Sequence, residues 1–291
     1  MSNIEHIHRT IVQGTDVFYR EAGSESKPKL LLLHGYPTSS YMFRNLIPLL
    51  SSHLHVVAPD LPGFGFTEPK PGYIFDFEAL TETIDQFVTK LGWTKFAIYV
   101  FDYGSPVGFR LALKNPSRIT AIISQNGNAY DEGIDDRFWG PLKKYWAAGK
   151  NDPELTSALR AYIEDKRNVD SQYFDGVSDT IAIDLAPSTL DWALLCRGGQ
   201  TDIQLGLFFD YQNNIRQYPQ FQEFFRNSGV PVLLAWGKND AIFSFAGAEA
   251  FRRDVKPENL DIRYFDTGHF ALETHAEEIA GAIINFVVPR L

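Results

Sequence analysis

Residues 97–104 read A-I-Y-V-F-D-Y-G, an apolar run that stops at Asp102 and is followed at once by Tyr103 and Gly104. Such a run predicts a buried strand, and the residues that follow it predict a sharp turn. A carboxylate at the end of a buried strand is costly to ionise unless it is paired, and no basic residue stands beside it in the sequence. Asp102 is therefore either the cap of the following helix or a reactive group.

Several short apolar runs have the character of buried strands. They are Leu30–Leu33, Val56–Ala58, Phe96–Phe101, Ile119–Ile123, Val232–Trp236 and Ile262–Phe265. Unbroken runs rich in β-branched residues are typical of strands that are covered on both faces, as in a mostly parallel sheet. Apolar residues at helical spacing lie between them, for example from Phe77 to Leu91 and from Ala276 to Phe286. This alternation predicts an α/β fold with a mostly parallel central sheet flanked by helices.

The alternation is interrupted between residues 130 and 221. This stretch is rich in Trp, Tyr and Asp, reads as helices and loops, and contains no run typical of a buried strand. The strand pattern resumes at Val232, so the sheet needs both flanks to be complete. We therefore expect one α/β core made of residues 1–129 and 222–291, with residues 130–221 inserted as a helical cap over the carboxyl end of the sheet.

The composition limits the classes of partner and compartment. The 291 residues carry a formal net charge of −9 and their Lys and Arg are scattered, which argues against a nucleic acid or an anionic membrane as partner. Cys196 is the only cysteine, so no disulfide can form within the chain. The first residues lack the basic start and apolar core of a signal peptide, and no apolar run reaches the ~18 residues of a membrane span. We expect a cytoplasmic protein, and a homodimer is compatible with this composition.

Polar side chains follow several of the predicted strands. In chain order they are His34, Asp60, Asp102, Asp240 and His269. Ligand sites and catalytic sites of open α/β sheets lie at the carboxyl ends of the strands. The last three residues follow the nucleophile–acid–histidine order of one hydrolase architecture. Taken singly, Asp102 could be a helix cap and Asp240 a turn residue, so their combination is what indicates a site.

Five motifs in the same order make the chain resemble the α/β-hydrolase fold family from its first strands to its last helix. Within that family the chain resembles the branch with an aspartate nucleophile, which includes epoxide hydrolases and haloalkane dehalogenases. The motifs are H-G-Y-P at 34–37, D-L-P-G-F-G at 60–65, V-F-D-Y-G at 100–104, W-G-K-N-D at 236–240 and D-T-G-H-F at 266–270. One position departs from the family pattern: Val100 stands where a small residue is usual, which predicts a looser turn.

The resemblance implies a hydrolysis in two steps. Asp102 would displace a leaving group at carbon and form an alkyl ester, and His269, oriented by Asp240, would activate water to attack that ester. The backbone N–H groups of Tyr36 and Tyr103 would hold the oxyanion. The sequence contains no G-x-S-x-G, which disfavours a serine esterase. Neither the resemblance nor the spacing of the histidines indicates a cofactor or a metal ion.

The leaving group separates the two activities of this branch. An epoxide releases an alkoxide, a strong base that needs an acid such as a tyrosine, whereas a halide needs only weak N–H donors. Dehalogenases of the family usually have a Trp directly after the nucleophile and an Asn in the oxyanion loop, where this chain has Tyr103 and Tyr36. The resemblance instead assigns ring opening to Tyr211, in F-F-D-Y-Q-N-N, and to Tyr145, in L-K-K-Y-W.

A haloalkane or haloacid dehalogenase is the alternative, because residues 37–45, P-T-S-S-Y-M-F-R-N, are more similar to the dehalogenases. In that case Trp139, Trp146 or Trp192 of the cap would hold the halide. We expect these indoles and His34 to shape the substrate pocket, with His34 in a structural role that shapes the oxyanion loop. The expected partners are a small apolar organic substrate and water. A ligand-binding homologue without activity is a third possibility, although binding alone would not require the aspartate–aspartate–histidine set.

Overall fold

The six predicted strands form the parallel part of a larger sheet. A computed structural model describes residues 5–150, 152–180 and 183–291 of the chain. The strands are β1 (His6–Val12), β2 (Thr15–Ala22), β3 (Lys29–Leu33), β4 (His55–Pro59), β5 (Phe96–Phe101), β6 (Ile119–Gln125), β7 (Val232–Gly237) and β8 (Leu260–Phe265). Their order in the sheet is β1-β2-β4-β3-β5-β6-β7-β8; β2 pairs antiparallel with β1 and β4, and the other pairs are parallel.

Helices cover both faces of this sheet. Those of the described residues are α1 (Leu46–Leu50), α2 (Phe77–Lys90), α3 (Gly104–Lys114), α4 (Asp136–Ala148), α5 (Pro153–Ile163), α6 (Lys166–Phe174), α7 (Leu185–Leu195), α8 (Gln200–Ser228), α9 (Phe245–Ala250) and α10 (Ala276–Ala282). Ile98 and Val100 of β5 pack into the core beneath α2 and α3, and Tyr99 and Phe101 pack into the core beneath α1 and α10. Burial on both faces explains why the strand sequences are unbroken apolar runs.

The edges of the sheet differ from the sequence prediction. The hairpin of β1 and β2 was not predicted, because most residues of β1 are exposed and its sequence lacks an apolar run. Its turn is formed by Gln13 and Gly14, both with positive φ. The expectation that every parallel strand is covered on both faces is wrong for β8, which lies at the other edge and has no fully buried residue.

The cap consists of the helices between β6 and β7. It contains α4, α5, α6 and α7 and the first part of α8. The predicted boundary at residue 222 falls inside α8, which continues to Ser228 and packs against α3 of the core, where the rings of Phe221 and Phe109 lie 5.4 Å apart. One helix therefore belongs to both the cap and the core. Across the described residues, no helix has both the length and the apolar character needed to cross a membrane.

Candidate active site

Asp102 occupies a strained turn between β5 and α3. Its φ is +47°, a conformation that L residues rarely adopt, and the helix begins two residues later at Gly104. Gly104 is needed because a Cβ at this position would lie 2.2 Å from the carbonyl oxygen of Leu33. Val100, from which the sequence predicts a looser turn, is accommodated by a glycine of α3. Its side chain fits against Gly108, where a Cβ would come within 2.4 Å of it.

The Asp102 carboxylate lies against the backbone of the loop after β3. The N–H of Tyr36 donates a 2.6 Å hydrogen bond to its Oδ1, and the N–H of Tyr103 also donates to this carboxylate. A Cβ on Gly35 would lie 2.3 Å from Oδ1, so the loop can approach this closely only as glycine. The two N–H groups that the sequence suggested as an oxyanion hole therefore converge on one carboxylate.

The environment of Asp102 raises the pKa of its carboxyl group, but the group is still mostly ionised at neutral pH. Burial raises its pKa to about 6, against the opposing effects of the charge on His269 and the two backbone hydrogen bonds. The side chain is buried, with 6% of the residue exposed. Because the pKa lies below 7, most of the carboxylate is ionised at neutral pH and can act as a nucleophile.

His269 and Asp240 form a buried pair at the ends of β8 and β7. Nδ1 of His269 lies 2.8 Å from Oδ2 of Asp240. Burial disfavours a charge on His269, but the charge of Asp240, their hydrogen bond and the charge of Asp102 together raise the pKa of His269 above its usual value. Nε2 of His269 has no hydrogen-bond partner among the described residues, so this atom can accept a proton.

Asn126 holds the carboxylate of Asp240 and was not predicted. Its Nδ2 donates a 2.7 Å hydrogen bond to Oδ2 of Asp240, and its Oδ1 accepts one from the N–H of Gly237 at 2.9 Å. The N–H of Ile242 also donates to Asp240, at 2.7 Å. Asn126 directly follows β6 and has a φ of +46°. The strand-end rule that found Asp102 would also have found Asn126, since Asn followed by Gly is a turn signal.

A cavity of about 20 Å³ lies beside Asp102, which is room for about one water molecule. Its lining consists of Tyr36, Asp102, Tyr103, Phe138, Trp139, Leu142, Gln172, Phe208, Tyr211 and Ile242. The sequence had predicted Tyr36, Tyr103, Trp139 and Tyr211 as site residues. None of the residues that line this cavity is cationic.

Four phenols, three of them buried and one partly buried, interact electrostatically with the charge of Asp102. They belong to Tyr36, Tyr103, Tyr162 and Tyr211. Burial is the main cause of the raised pKa of each, the Asp102 charge adds to it, and the pKa of Tyr162 is about 12. The hydroxyl of Tyr103 has no partner within the described part of the chain, while Tyr211 is hydrogen-bonded to Tyr218. Each phenol keeps its proton at neutral pH and can donate it.

Tyr162, not Tyr145, is the early cap tyrosine near the nucleophile. Tyr162 lines two cavities near Asp102 and feels the charge of that carboxylate. The structure does not bring Tyr145 to the nucleophile as the sequence predicted, because its ring packs against Phe209, with centroids 5.4 Å apart, and it lines none of these cavities. No motif surrounds Tyr162. The available signal was its helical spacing with Leu155 and Leu159 on α5, since these three residues line one cavity of the cap.

The indole N–H groups of Trp139 and Trp146 are not free to hold a halide as the sequence predicted. Trp139 lines the cavity, but its indole N–H donates a 2.7 Å hydrogen bond to the carbonyl oxygen of Ile242. The indole N–H of Trp146 donates to the carbonyl oxygen of Phe208 at 2.8 Å. Trp146 and Trp192 line none of the cavities near Asp102, so the structure does not bring them to the predicted pocket.

His34 holds the oxyanion loop in place, the structural role that the sequence predicts, but it does not line the cavity beside Asp102 as a pocket residue would. Its Nδ1 lies 3.0 Å from the carbonyl oxygen of Gly35, and its Nε2 accepts a 2.9 Å hydrogen bond from the N–H of Leu61. Burial lowers the pKa of His34, against the charge of Asp60 and the Gly35 hydrogen bond, so the ring is neutral at pH 7. With both ring nitrogens bonded to backbone, its role is to fix the loop.

Two further cavities adjoin the one beside Asp102. The first, which we call the apolar chamber, has a volume of about 350 Å³ and is lined by Arg137, Phe138, Pro141, Leu142, Leu155, Ala158, Leu159, Tyr162 and Phe208. The second, the polar chamber, has a volume of about 170 Å³ and is lined by Phe138, Tyr162, Ser171, Gln172, Asp175, Asp240, Ala241, Ile242 and His269. Phe138 lines all three cavities, so the chambers meet next to the nucleophile.

Comparison with known proteins agrees with this fold. The sequence model of the α/β hydrolase fold matches residues 28–276, and the chain belongs to this family. It is 61% identical to the uncharacterized hydrolase YNR064C of Saccharomyces cerevisiae over 98% of both chains. It is 24% identical to epoxide hydrolase 3 of Mus musculus over 91% of this chain and 72% of the mouse protein. The crystal structure of haloalkane dehalogenase DbeA from Bradyrhizobium elkani superposes with a TM-score of 0.80 at 21% identity, covering 99% of both chains. The chain is thus a hydrolase related to epoxide hydrolases and dehalogenases.

Proposed function

We propose that this protein is an epoxide hydrolase that acts through a covalent ester on Asp102. An oxygen of Asp102 attacks an epoxide carbon, the ring C–O bond breaks, and the alkoxide takes a proton from Tyr211 or Tyr162. Water then attacks the ester carbonyl while His269 takes one of its protons and passes it to the departing diol oxygen, with Asp240 stabilising the imidazolium. The proton on the new Asp102 carboxyl returns to the phenolate, and a vicinal diol is released.

The donors near the nucleophile are the observation that carries this proposal. The phenols of Tyr162 and Tyr211 lie within the field of Asp102. The hydroxyl of Tyr211, although bonded to Tyr218, can rotate to a substrate oxygen, whereas the indole N–H of Trp139 is fixed by its ring and bonded to the carbonyl oxygen of Ile242. A phenol can protonate an alkoxide as it forms, and that is the requirement of epoxide opening. A halide needs no proton, so a site built only for halide release would not require these phenols.

The apolar chamber supports an epoxide with an apolar tail. The cavity beside Asp102 has a volume of about 20 Å³, so the rest of a substrate needs the neighbouring space of about 350 Å³. Phe138, Leu142 and Phe208 line both spaces and form the boundary that a substrate tail would cross. A terminal epoxide with an aliphatic or aryl tail fits this division, because its reacting carbons are small and its tail is apolar.

A haloalkane dehalogenase is the second candidate. It is favoured by residues 37–45, P-T-S-S-Y-M-F-R-N, which are more similar to the dehalogenases. A haloacid is less well matched, because none of the residues that line the cavity beside Asp102 carries a cation to pair with a carboxylate.

The test is to incubate the protein with styrene oxide, a bromoalkane and fluoroacetate and to identify the products. We expect diol from the epoxide. Halide release without diol would favour the dehalogenase, and no product from any of the three would favour a binding role. In heavy-oxygen water, a single turnover should place the label in the peptide that contains Asp102, because water attacks the ester carbonyl. Label found only in the diol after one turnover would contradict the covalent mechanism.

A further inference from the structure

Two buried polar atoms face the polar chamber with no hydrogen-bond partner among the described residues. One is Nε2 of His269, and the other is Oε1 of Gln172 on α6. Both side chains line this chamber, and their residues are 3% and 6% exposed. Leaving a buried acceptor unpaired is unfavourable, so a polar ligand is expected to bridge these atoms.

Gln172 also lines the cavity beside Asp102. Three residues are shared by this cavity and the polar chamber, namely Phe138, Gln172 and Ile242. Of these, only Gln172 has a polar side chain. Gln172 therefore provides the hydrogen-bonding group at the boundary between the cavity that contains the nucleophile and the chamber that contains the histidine. Its side chain is further held by a hydrogen bond to the phenol of Tyr162.

We infer that Gln172 and His269 together hold the water that hydrolyses the ester, and that the polar chamber supplies this water. This inference rests on the proposed function. A water molecule has two O–H groups, and Nε2 of His269 and Oε1 of Gln172 are two acceptors. With both O–H groups engaged, a lone pair of the water remains for the ester carbonyl of Asp102. The chamber volume of about 170 Å³ is room for several waters.

The hydrolysis step needs only the water, the ester and the side chains described above. The water oxygen bonds to Cγ of Asp102, one water proton moves to Nε2 of His269, and the carbonyl electrons form an oxyanion held by the N–H groups of Tyr36 and Tyr103. The intermediate then breaks its Cγ–O bond to the alkyl group, and this oxygen takes the proton from His269. Gln172 keeps its hydrogen bond to the remaining O–H throughout. It acts as a positioning residue for the second step and has no part in the first.

The apolar and polar chambers thereby separate the two reactants. The organic substrate reaches Asp102 past Phe138 and Phe208, and water reaches His269 past Ser171 and Asp175. This separation explains why one chamber is lined mainly by aliphatic and aromatic side chains and the other carries hydrogen-bonding side chains.

The test is Gln172→Met, which removes the acceptor at similar side-chain length. Gln204→Met is the matched control, because Gln204 is also a buried glutamine whose Oε1 has no partner in the described ranges, yet it lines none of the three cavities. Alkylation and hydrolysis rates are measured separately with styrene oxide by rapid quenching and intact mass. Alkylation itself shows that a variant is folded.

We expect the ratio of the hydrolysis rate to the alkylation rate to fall about 10- to 100-fold in Gln172→Met, since misplacing a reactant by about 1 Å costs that much. Alkylated Asp102 should accumulate, and Gln204→Met should keep the wild-type ratio. An unchanged ratio in Gln172→Met would overturn the inference, even if both rates fell through the contact with Tyr162. If the wild type forms no ester on Asp102, the proposed function and this inference both fail. If it does and Gln172→Met hydrolyses normally, only the inference fails.

Discussion

The backbone N–H of Tyr36 donates a 2.6 Å hydrogen bond to Oδ1 of Asp102 in the free protein. The carboxylate of the nucleophile is therefore already hydrogen-bonded to a donor that would later hold the oxyanion formed from its own ester. The same N–H can serve both states because the attacked carbonyl carbon belongs to Asp102 itself. A preorganised donor of this kind requires no rearrangement during the reaction.

Asp102→Asn should abolish turnover and stabilise the folded protein at neutral pH. Burial raises the pKa of Asp102 from 3.8 to about 6, so folding disfavours the charged form. This cost is fully present above pH 6 and vanishes below the unfolded pKa of 3.8. This rise in the pKa corresponds to about 3 kcal/mol of unfolding free energy. Urea unfolding of both proteins should show the variant more stable at pH 7, with the difference shrinking towards pH 4. A variant that is less stable at pH 7 would contradict this account.

The alkylation rate should fall below pH 6. Asp102 attacks only as the carboxylate, and its raised pKa of about 6 sets where that form is lost. Below this pH we expect the rate to fall about tenfold per pH unit, and above it the rate should be level. Rapid-quench mass measurements of ester formation in the wild type give this profile directly. A profile that stays level down to pH 4.5 would show that the carboxylate is not desolvated as described.

His269→Gln should form the ester and then stop. The proposed role of His269 is confined to the water step, because its Nε2 faces the polar chamber and its Nδ1 is held by Asp240. Intact mass should show one alkyl group per chain, located on Asp102. His275→Gln is the matched control, since His275 lies nearby and its Nδ1 is bonded to Thr274; it should turn over normally. A His269→Gln variant without any gain in mass would refute this assignment.

The core of the fold was predictable because burial on both faces of a parallel sheet leaves a direct mark on the sequence. Phe96–Phe101 was predicted with the bounds that β5 has in the structure. The strand β1 could not be predicted in this way, because it is an exposed edge strand and its sequence has no apolar run. Asp102, Asp240 and His269 were found by the same logic, since each follows a strand that the pattern had placed.

The cap was less predictable because aromatic residues serve both packing and chemistry there. Tyr145 and Tyr162 have similar local sequences, and only the packing of α4 and α5 against α8 decides which of them reaches the site. The indole of Trp139 lines the cavity as expected, but its N–H turns to a backbone oxygen. No sequence pattern records the direction in which an indole N–H points.

Filling the apolar chamber should affect long substrates and spare short ones. Ala158 lines the chamber at an exposed position of α5, so Ala158→Trp places a large side chain there with little risk to folding. The control is Ala193→Trp, at an exposed position of α7 that does not line the chamber. We expect kcat/KM for epoxyoctane to fall at least tenfold, because each methylene kept out of the chamber costs about 0.8 kcal/mol. Propylene oxide should be hydrolysed at nearly the wild-type rate, and an equal loss for both epoxides would contradict the chamber's role.

Removing the phenols distinguishes the two leaving groups. An alkoxide that forms without its donor loses roughly 3–4 kcal/mol of stabilisation, so Tyr211→Phe and Tyr162→Phe should each open epoxides about 100- to 1000-fold more slowly. Halide release needs no proton and should change less than about tenfold in either variant. Tyr145→Phe serves as the matched control, because its ring packs against Phe209 away from the cavity, and it should keep the wild-type rate. If Tyr211→Phe and Tyr162→Phe both open epoxides at the wild-type rate while the wild type releases bromide, the dehalogenase is the better reading of this site.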